Sequence, residues 1–403
     1  MEKSANAVLA GRRVFFNFLL ANALSGIVRG TTMFVVNLYA IHLGANMLEL
    51  GLLRAITGFS ILVSVLPIGF LVDHYGARRL YLLGESCASI LTLVLVFLTS
   101  PVALIIQGGF YGLSMALRFA SMQTVLLEQL QMVGSDKAGW LRGSGFIGVL
   151  FIGPFFGALL VKHMSYSAIF IFLTVMSVLL VALSWALFRR ESHPGGESVA
   201  SVHKSSLSHF MSQVAAMSRN KRLVNAIFSE GLNSACFSVF SVFIIAVALK
   251  AFDFTPQTAG GLISMGGATF LIAVFFGGDF MEKLSYKSGL FLSLGGNLIG
   301  LTFLASARSG GSLWAGAAIC GLFMGLNNVV TLTQVSNVKG RKGQLVGFYN
   351  LSTSLGNTVG PMLGGMVGKA FGPQAVFFSF VPLVALIGLW IVLNTNPLQV
   401  CDE

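Results

Sequence analysis

The stretch Gly69-Phe70-Leu71-Val72-Asp73-His74-Tyr75-Gly76-Ala77-Arg78-Arg79 separates two long apolar runs. Glycines let helix ends approach closely, and Asp73 and the arginines offer opposite charges that can hold or release neighbouring helices. The same spacing recurs from Gly278, with an acid four residues on at Glu282 and a base nine residues on at Lys287. Positions 69 and 278 are 209 residues apart, about half of the 403-residue chain. The sequence therefore predicts a tight turn that is repeated in two similar halves.

The composition excludes an ordinary soluble domain of this length, because 55% of the residues are hydrophobic and only 10% are charged. A membrane span needs roughly 20 predominantly apolar residues. Six such stretches precede a polar segment and six follow it, which predicts an all-α membrane protein with an N-terminal six-helix bundle (1–188), a linker (189–222) and a C-terminal six-helix bundle (223–403). The twelve predicted spans are 14–42, 47–71, 80–100, 102–126, 141–162, 165–188, 223–249, 258–277, 288–307, 312–334, 344–369 and 374–394.

The basic residues predict the orientation of these spans. Of 25 lysines and arginines, 18 fall in the termini and loops of one side, which the positive-inside rule makes the cytoplasmic side. Both termini and the linker are then cytoplasmic. The net charge of +11 reflects topology, since the bases are scattered over short segments and do not indicate a nucleic-acid partner. The four cysteines are dispersed, so neither a metal site nor a cofactor is expected.

The repeated stretch resembles the loop between helices 2 and 3 of the major facilitator superfamily, which reads Gly-x-Leu-x-Asp-Arg/Lys-x-Gly-Arg/Lys-Arg/Lys. The resemblance implies two pseudo-symmetric six-helix bundles that rock around a central site to move a small molecule, and no enzymatic activity. It also implies that Asp73, Arg78 and Glu128 form a conformational switch, although His74 and Ala77 stand where the family usually has basic residues. The other predicted switch residues are Gly69, Gly76, Gly278, Glu282 and Lys287.

Two glycine–proline clusters are similar to the antiporter motif of the superfamily's exporters. In one interpretation they indicate export by antiport. In the other they provide close packing between the halves, because closely spaced glycines let helices approach and proline adds a kink. The residues are Gly153, Pro154 and Gly157 in helix 5, and Gly347, Gly356, Gly360, Pro361 and Gly364 in helix 11.

Three arginines lie within predicted spans, where a charge costs at least about 2.5–3.5 kcal/mol. Arg29 lies near the middle of helix 1, so it either binds an anionic substrate or pairs permanently with an internal carboxylate. Arg118 and Glu85 occur at similar depth on antiparallel helices and either form an ion pair or line a cavity. Arg54 is one or two turns from the outer surface, and we expect it to snorkel there.

In the superfamily, helices 1, 4, 7 and 10 line the central cavity. This places Glu230 of helix 7 at the cavity, where burial would favour its neutral acid and make proton exchange possible. The alternative is a fixed partner for a nearby arginine, and Glu85 is the second candidate for proton coupling. The predicted substrate-binding residues are Asn22, Arg29, Thr32, Tyr111, Arg118, Asn233 and Asn327.

No nucleotide-binding P-loop occurs in the chain, so an ion gradient and not ATP is expected to drive transport. Our leading hypothesis is proton-coupled export of an amphiphilic or anionic metabolite or drug. An alternative is uptake of an organic anion such as a siderophore or a carboxylate. A different class is a helper or receptor that keeps the fold without transport. We expect a monomer embedded in the lipid bilayer of a bacterial inner membrane.

Overall fold

The computed structural model describes residues 2–133, 143–188, 221–337 and 342–394, and these ranges form twelve helices. One π-helical turn, Ile147–Ile152, interrupts α5, and a short 3₁₀ turn, Leu95–Phe97, extends α3. The helices are α1 (Glu2–His42), α2 (Met47–Tyr75), α3 (Ala77–Val94), α4 (Pro101–Val133), α5 (Gly143–His163), α6 (Tyr166–Phe188), α7 (Lys221–Lys250), α8 (Pro256–Glu282), α9 (Tyr286–Ala305), α10 (Gly310–Asn337), α11 (Lys342–Phe371) and α12 (Ala375–Asn394).

Local sequence explains where several helices begin and end. The Asn46 side chain accepts a hydrogen bond from the Glu49 backbone, and the Glu49 carboxylate accepts one from the Asn46 backbone, so α2 begins in a capping box. Gly76 alone separates α2 from α3 at a φ of 85°, a left-handed conformation that favours glycine. The predicted tight turn is therefore confirmed. The side chains of Thr255 and Ser285 cap α8 and α9 by accepting a hydrogen bond from the backbone N–H of Thr258 and of Ser288.

Helix contacts in the first half recur in the second half when six is added to each helix number. The pairs α2–α4, α3–α4, α3–α6 and α1–α5 correspond to α8–α10, α9–α10, α9–α12 and α7–α11. Within the described residues, ten helices are long and apolar enough to cross a membrane, and the segment Ala375–Ile391 of α12 is shorter. The predicted all-α fold of two pseudo-symmetric six-helix bundles is confirmed.

The two halves meet mainly through α2 with α11 and through α5 with α8. The motif face is defined here as the end of the molecule with Gly76 and Ser285, and the opposite face as the end with Asn46 and Gly372. At the opposite face α2 and α11 are in backbone contact, since a methyl group built on Gly365 would lie 2.9 Å from the carbonyl oxygen of Met47.

Toward the motif face, the described residues show no such close contact between α2 and α11. Gly69 lies 11 residues after Gly58, which is about three helical turns, so both lie on the same side of α2. Gly347 lies 18 residues before Gly365, or five turns, so both lie on the same side of α11. No heavy atom of the described residues would lie within 4 Å of a methyl group on Gly69 or Gly347. Among the described side chains, the close contact between these two helices therefore lies at the opposite face and along the middle of the helices and does not extend to Gly69 and Gly347.

Helix α7 is the most enclosed element, and residues 242–248 have almost no exposed surface. Large apolar side chains on other helices face outward, among them Phe97 and Phe276, each 75% exposed. An apolar exterior around a packed centre is what a lipid environment requires, because lipid tails solvate such side chains.

Candidate functional site

Five of the residues predicted to bind substrate or protons lie together in the N-terminal half. Arg29 and Thr32 from α1, Glu85 from α3, and Tyr111 and Arg118 from α4 line one polar pocket. The pocket has a volume of about 10 Å³, enough for one water molecule. In this conformation it has no room for an organic substrate.

Glu85 and Arg118 form a buried ion pair, which is one of the two predicted arrangements. Arg118 Nη2 donates to Glu85 Oε1 at 3.0 Å and to Ser25 Oγ at 2.6 Å. Ser25 Oγ in turn donates to Glu85 Oε1 at 3.3 Å, so α1, α3 and α4 are joined. The Arg118 guanidinium is largely occupied by these partners, as is the Glu85 carboxylate.

Arg29 stands apart from this pair. Its guanidinium carbon lies 5.2 Å from the centre of the Phe119 ring, a cation–π contact. Among the residues that the structure describes, Glu85 and Arg118 form the only ion pair, so the pairing of Arg29 with an internal carboxylate is not observed. Asn22, seven residues earlier, donates to Ser144 Oγ on α5 at 2.9 Å and does not line the pocket.

Glu230 on α7 is 3% exposed and is surrounded by neutral hydrogen-bonding groups. Thr331 Oγ1 donates to Glu230 Oε2 at 3.0 Å, and Ser234 Oγ donates to Oε1 at 3.2 Å. Tyr349 and Asn328, which hydrogen-bond each other at 2.8 Å, also lie beside the carboxylate. Within the described ranges no lysine or arginine pairs with Glu230, which leaves the predicted arginine partner unobserved.

The two predicted asparagines of the C-terminal half contribute to packing within that half. Asn327 donates to Ser229 at 3.1 Å and to Ser293 at 3.2 Å. Asn233 donates to the carbonyl oxygen of Met324 at 3.2 Å. The structure therefore does not bring them to the pocket that holds Arg29.

A second cavity of about 60 Å³ lies between the halves and contains Arg54. Arg54 Nε donates to Ser238 Oγ on α7 at 3.1 Å, and Nη1 contacts Met33 Sδ at 3.5 Å. The prediction that Arg54 snorkels to the outer surface is wrong, because its head group turns into the centre of the molecule. The sequence carried a signal, since Arg54 lies between Gly51 and Gly58 on the side of α2 that packs against α11.

The predicted switch can be followed only in part. Gly69, Gly76, Gly278 and the half-buried Arg78 lie at the motif face as expected, and Lys287 lies there near the start of α9. The side chains of Asp73, Glu128 and Glu282 lie outside the described part of the structure. The switch therefore stays a prediction.

Most glycines of the two antiporter-like clusters pack within their own half. Methyl groups built on Gly153 and Gly157 would meet α1, and those on Gly356 and Gly360 would meet α7. Contacts across the halves involve the prolines, because the carbonyl oxygens of Pro154 and Pro361 face Gly260 and Gly51. The predicted packing between halves is thus limited to the prolines and their neighbours, since the glycine faces turn inward within each bundle. A methyl group on Gly364 would meet Phe243 and Val376, whereas no described neighbour lies within 4 Å of one on Gly347.

A sequence model described as "Major Facilitator Superfamily" matches this chain twice, over residues 18–243 and 226–401. The chain belongs to this superfamily. An uncharacterized MFS-type transporter of Schizosaccharomyces pombe is 22% identical over 368 residues, which cover 80% of this chain and 79% of that protein.

Solved structures of nucleoside transporter NupG and of a bacterial homologue of the human lysosomal transporter Spinster have the same fold. A NupG mutant has a TM-score of 0.78 and 15% identity, covering 95% of this chain and 100% of that chain. The Spinster homologue, described as inward-facing and unoccupied, has a TM-score of 0.72 and 12% identity, covering 96% and 99%. This MFS protein is therefore an integral membrane transporter, whose fold implies a lipid bilayer and a small-molecule substrate.

Proposed function

We propose that this MFS protein exports an amphiphilic or anionic small molecule in exchange for protons. Its halves, residues 1–188 and 223–403, would rock about the central cavity, with residues 189–222 as the link. The close packing of α2 against α11 near the opposite face, with no described contact at Gly69 or Gly347, supports such alternating access. We further propose a monomer in a bacterial inner membrane, with the motif face cytoplasmic.

The observation that carries proton coupling is the neutral surrounding of Glu230. Hydroxyl groups such as those of Thr331 and Ser234 can donate to a carboxylate and accept from a carboxylic acid, so they accommodate both protonation states. Glu85 differs, because taking up a proton there would leave Arg118 buried without its counter-charge. Of the two candidates for proton coupling, Glu230 is therefore the stronger.

The test is substrate flux in proteoliposomes with an imposed pH gradient. Glu230→Gln keeps the shape of the side chain but cannot exchange a proton, so gradient-driven accumulation should be abolished while downhill exchange persists. Glu49→Gln is the matched control, because Glu49 lies at the start of α2 and its capping bond can be kept by glutamine. Normal gradient-driven flux in the Glu230→Gln protein would overturn the assignment.

Uptake of an organic anion is the second candidate function, and the charge of the half-buried Arg29 favours it. This guanidinium contacts an aromatic ring and has no described carboxylate partner, so it can bind an anion. The same liposomes separate the two directions when substrate is loaded inside or outside. A complete lack of flux with an anionic and a cationic panel would instead favour a helper or receptor.

A further inference from the structure

The guanidinium of Arg54 has hydrogen-bonding capacity that the protein does not use. Nε is engaged by Ser238, and Nη1 has only the weak acceptor Met33 Sδ. Nη2 makes no hydrogen bond with the described residues, and no described carboxylate pairs with Arg54. A guanidinium with free N–H groups and no counter-charge is poised to bind a planar anion by two parallel hydrogen bonds.

The walls of the surrounding cavity are mainly apolar. Met33 and Phe34 of α1 face Phe237 and Phe240 of α7, and Ile263 of α8 completes this side. Such a surface favours an apolar ligand body, whereas a wholly hydrophilic anion would gain little from it.

Asn37 and Ser241 are the other polar side chains that line the same cavity, and Ser241 Oγ is engaged because it donates to the carbonyl oxygen of Ser238 at 3.0 Å. Asn37 is 5% exposed, and its amide has no hydrogen-bond partner within the described residues. A buried amide of this kind normally has a hydrogen-bond partner, because a buried polar group without a hydrogen bond costs free energy. Its position beside the cavity that holds Arg54 provides a second donor for an anionic head group.

We propose that this cavity binds an amphiphilic organic anion, with the anionic group on Arg54 and Asn37 and the apolar body against Phe34, Phe237 and Phe240. The proposal rests on the proposed transport function and names its substrate class. A neutral or cationic ligand would leave the charge of Arg54 unpaired in a largely apolar surrounding, which is costly. An anion removes that cost.

The cavity is shared between the halves, which is where a transported ligand must bind. Arg54 and Phe34 belong to the N-terminal half, and Phe237 and Ser238 belong to the C-terminal half. Its present volume of about 60 Å³ is well below the roughly 300 Å³ of a typical ligand pocket. Binding therefore requires the halves to move apart around the ligand, as alternating access does.

The test measures equilibrium binding to the purified full-length protein in detergent by calorimetry. Three probes share one apolar body and differ only in head group: 4-phenylbutyrate, 4-phenylbutan-1-ol and 4-phenylbutylamine. We expect the carboxylate to bind at least tenfold more tightly than the alcohol or the amine. Arg54→Gln should weaken binding of the carboxylate by at least about 10- to 100-fold and abolish the preference, because the charge-assisted hydrogen bonds of the guanidinium are lost. Arg54→Lys should retain part of the affinity for the carboxylate, because lysine keeps the charge but lacks the planar fork of the guanidinium.

Two matched controls locate the effect. Arg308→Gln makes the same chemical change at an exposed position in the loop before α10 and should leave binding unchanged. Arg29→Gln removes the other unpaired arginine of the span region, and binding should fall far less than in Arg54→Gln. A larger loss in Arg29→Gln would move the anion to the polar pocket and overturn the proposal.

The anion-site proposal and the transport proposal can be refuted independently of each other. Absence of carboxylate binding, or equal binding of the three probes to the unmodified protein, would overturn the anion site even if flux is observed. Selective binding that depends on Arg54, without flux in proteoliposomes, would keep the site and reject the transport function. If Arg54→Gln does not fold, the proposal is still tested by comparing the affinities of the three probes for the unmodified protein and for Arg54→Lys.

Discussion

The ion pair between Glu85 and Arg118 offers a quantitative test of how the N-terminal half is held together. Glu85 is 3% exposed and Arg118 is 7% exposed, so removing either leaves a buried charge without its partner. Glu85→Gln or Arg118→Met should each lower the free energy of unfolding by about 3–5 kcal/mol, whereas replacing both with neutral residues of similar volume should cost much less than the sum. The coupling energy in the double-mutant cycle should then reach about 3 kcal/mol.

The assay is equilibrium unfolding of the four proteins in mixed detergent micelles. Ser25→Ala is the control, because Ser25 accepts a hydrogen bond from Arg118 but carries no charge. An interhelical hydrogen bond in a membrane protein contributes on average about 0.6 kcal/mol and at most about 1.7 kcal/mol. The reasoning would be refuted if neither single substitution costs more than Ser25→Ala, or if the effects of the two simply add.

Two further predictions concern the arrangement of the halves. Gly51→Leu should push α2 and α11 apart, because even a methyl group on Gly51 would lie 3.0 Å from Gly365 Cα. The distance between spin labels on the α1–α2 and α11–α12 turns should therefore increase. Gly69→Leu is the control and should leave that distance unchanged, because no described atom lies within 4 Å of a methyl group on Gly69. In a cysteine-free background, Lys283→Cys and Ser309→Cys should react with an impermeant maleimide from opposite sides of the membrane, and reaction from one side would contradict the predicted topology.

Much of the architecture follows from local sequence. Apolar length and the recurrence of the glycine–acid–base spacing predict twelve helices in two halves, because any segment of about 20 apolar residues must form a helix in lipid. The turn at Gly76 is predictable for a similar reason, since only glycine adopts its conformation without strain. These features depend on one helix or one turn at a time.

The faces of the helices are harder to predict, because they depend on which neighbours pack where. Arg54 lies close enough to the outer end of α2 to snorkel when this helix is considered alone. Its head group instead hydrogen-bonds Ser238 of α7, 184 positions away in the chain. Asn22 of α1 is a predicted substrate-binding residue, yet it hydrogen-bonds Ser144 of α5. A polar residue in a span is recognisable from sequence, and its partner is known only after the helices are packed.

The repeat clarifies the role of the charged network. Glu85 and Arg118 correspond at an offset of 208–209 residues to Ser293 and Asn327, which hydrogen-bond each other at 3.2 Å between the equivalent helices α9 and α10. The C-terminal half thus holds the same helix pair together without charges. Because neutral groups maintain the equivalent contact in the other half, the ion pair is best explained as a structural contact between α3 and α4 that stabilises the fold. Glu230 corresponds to the neutral Asn22, so this carboxylate is found in the C-terminal half alone, and the asymmetry supports the proposal that proton exchange takes place on α7.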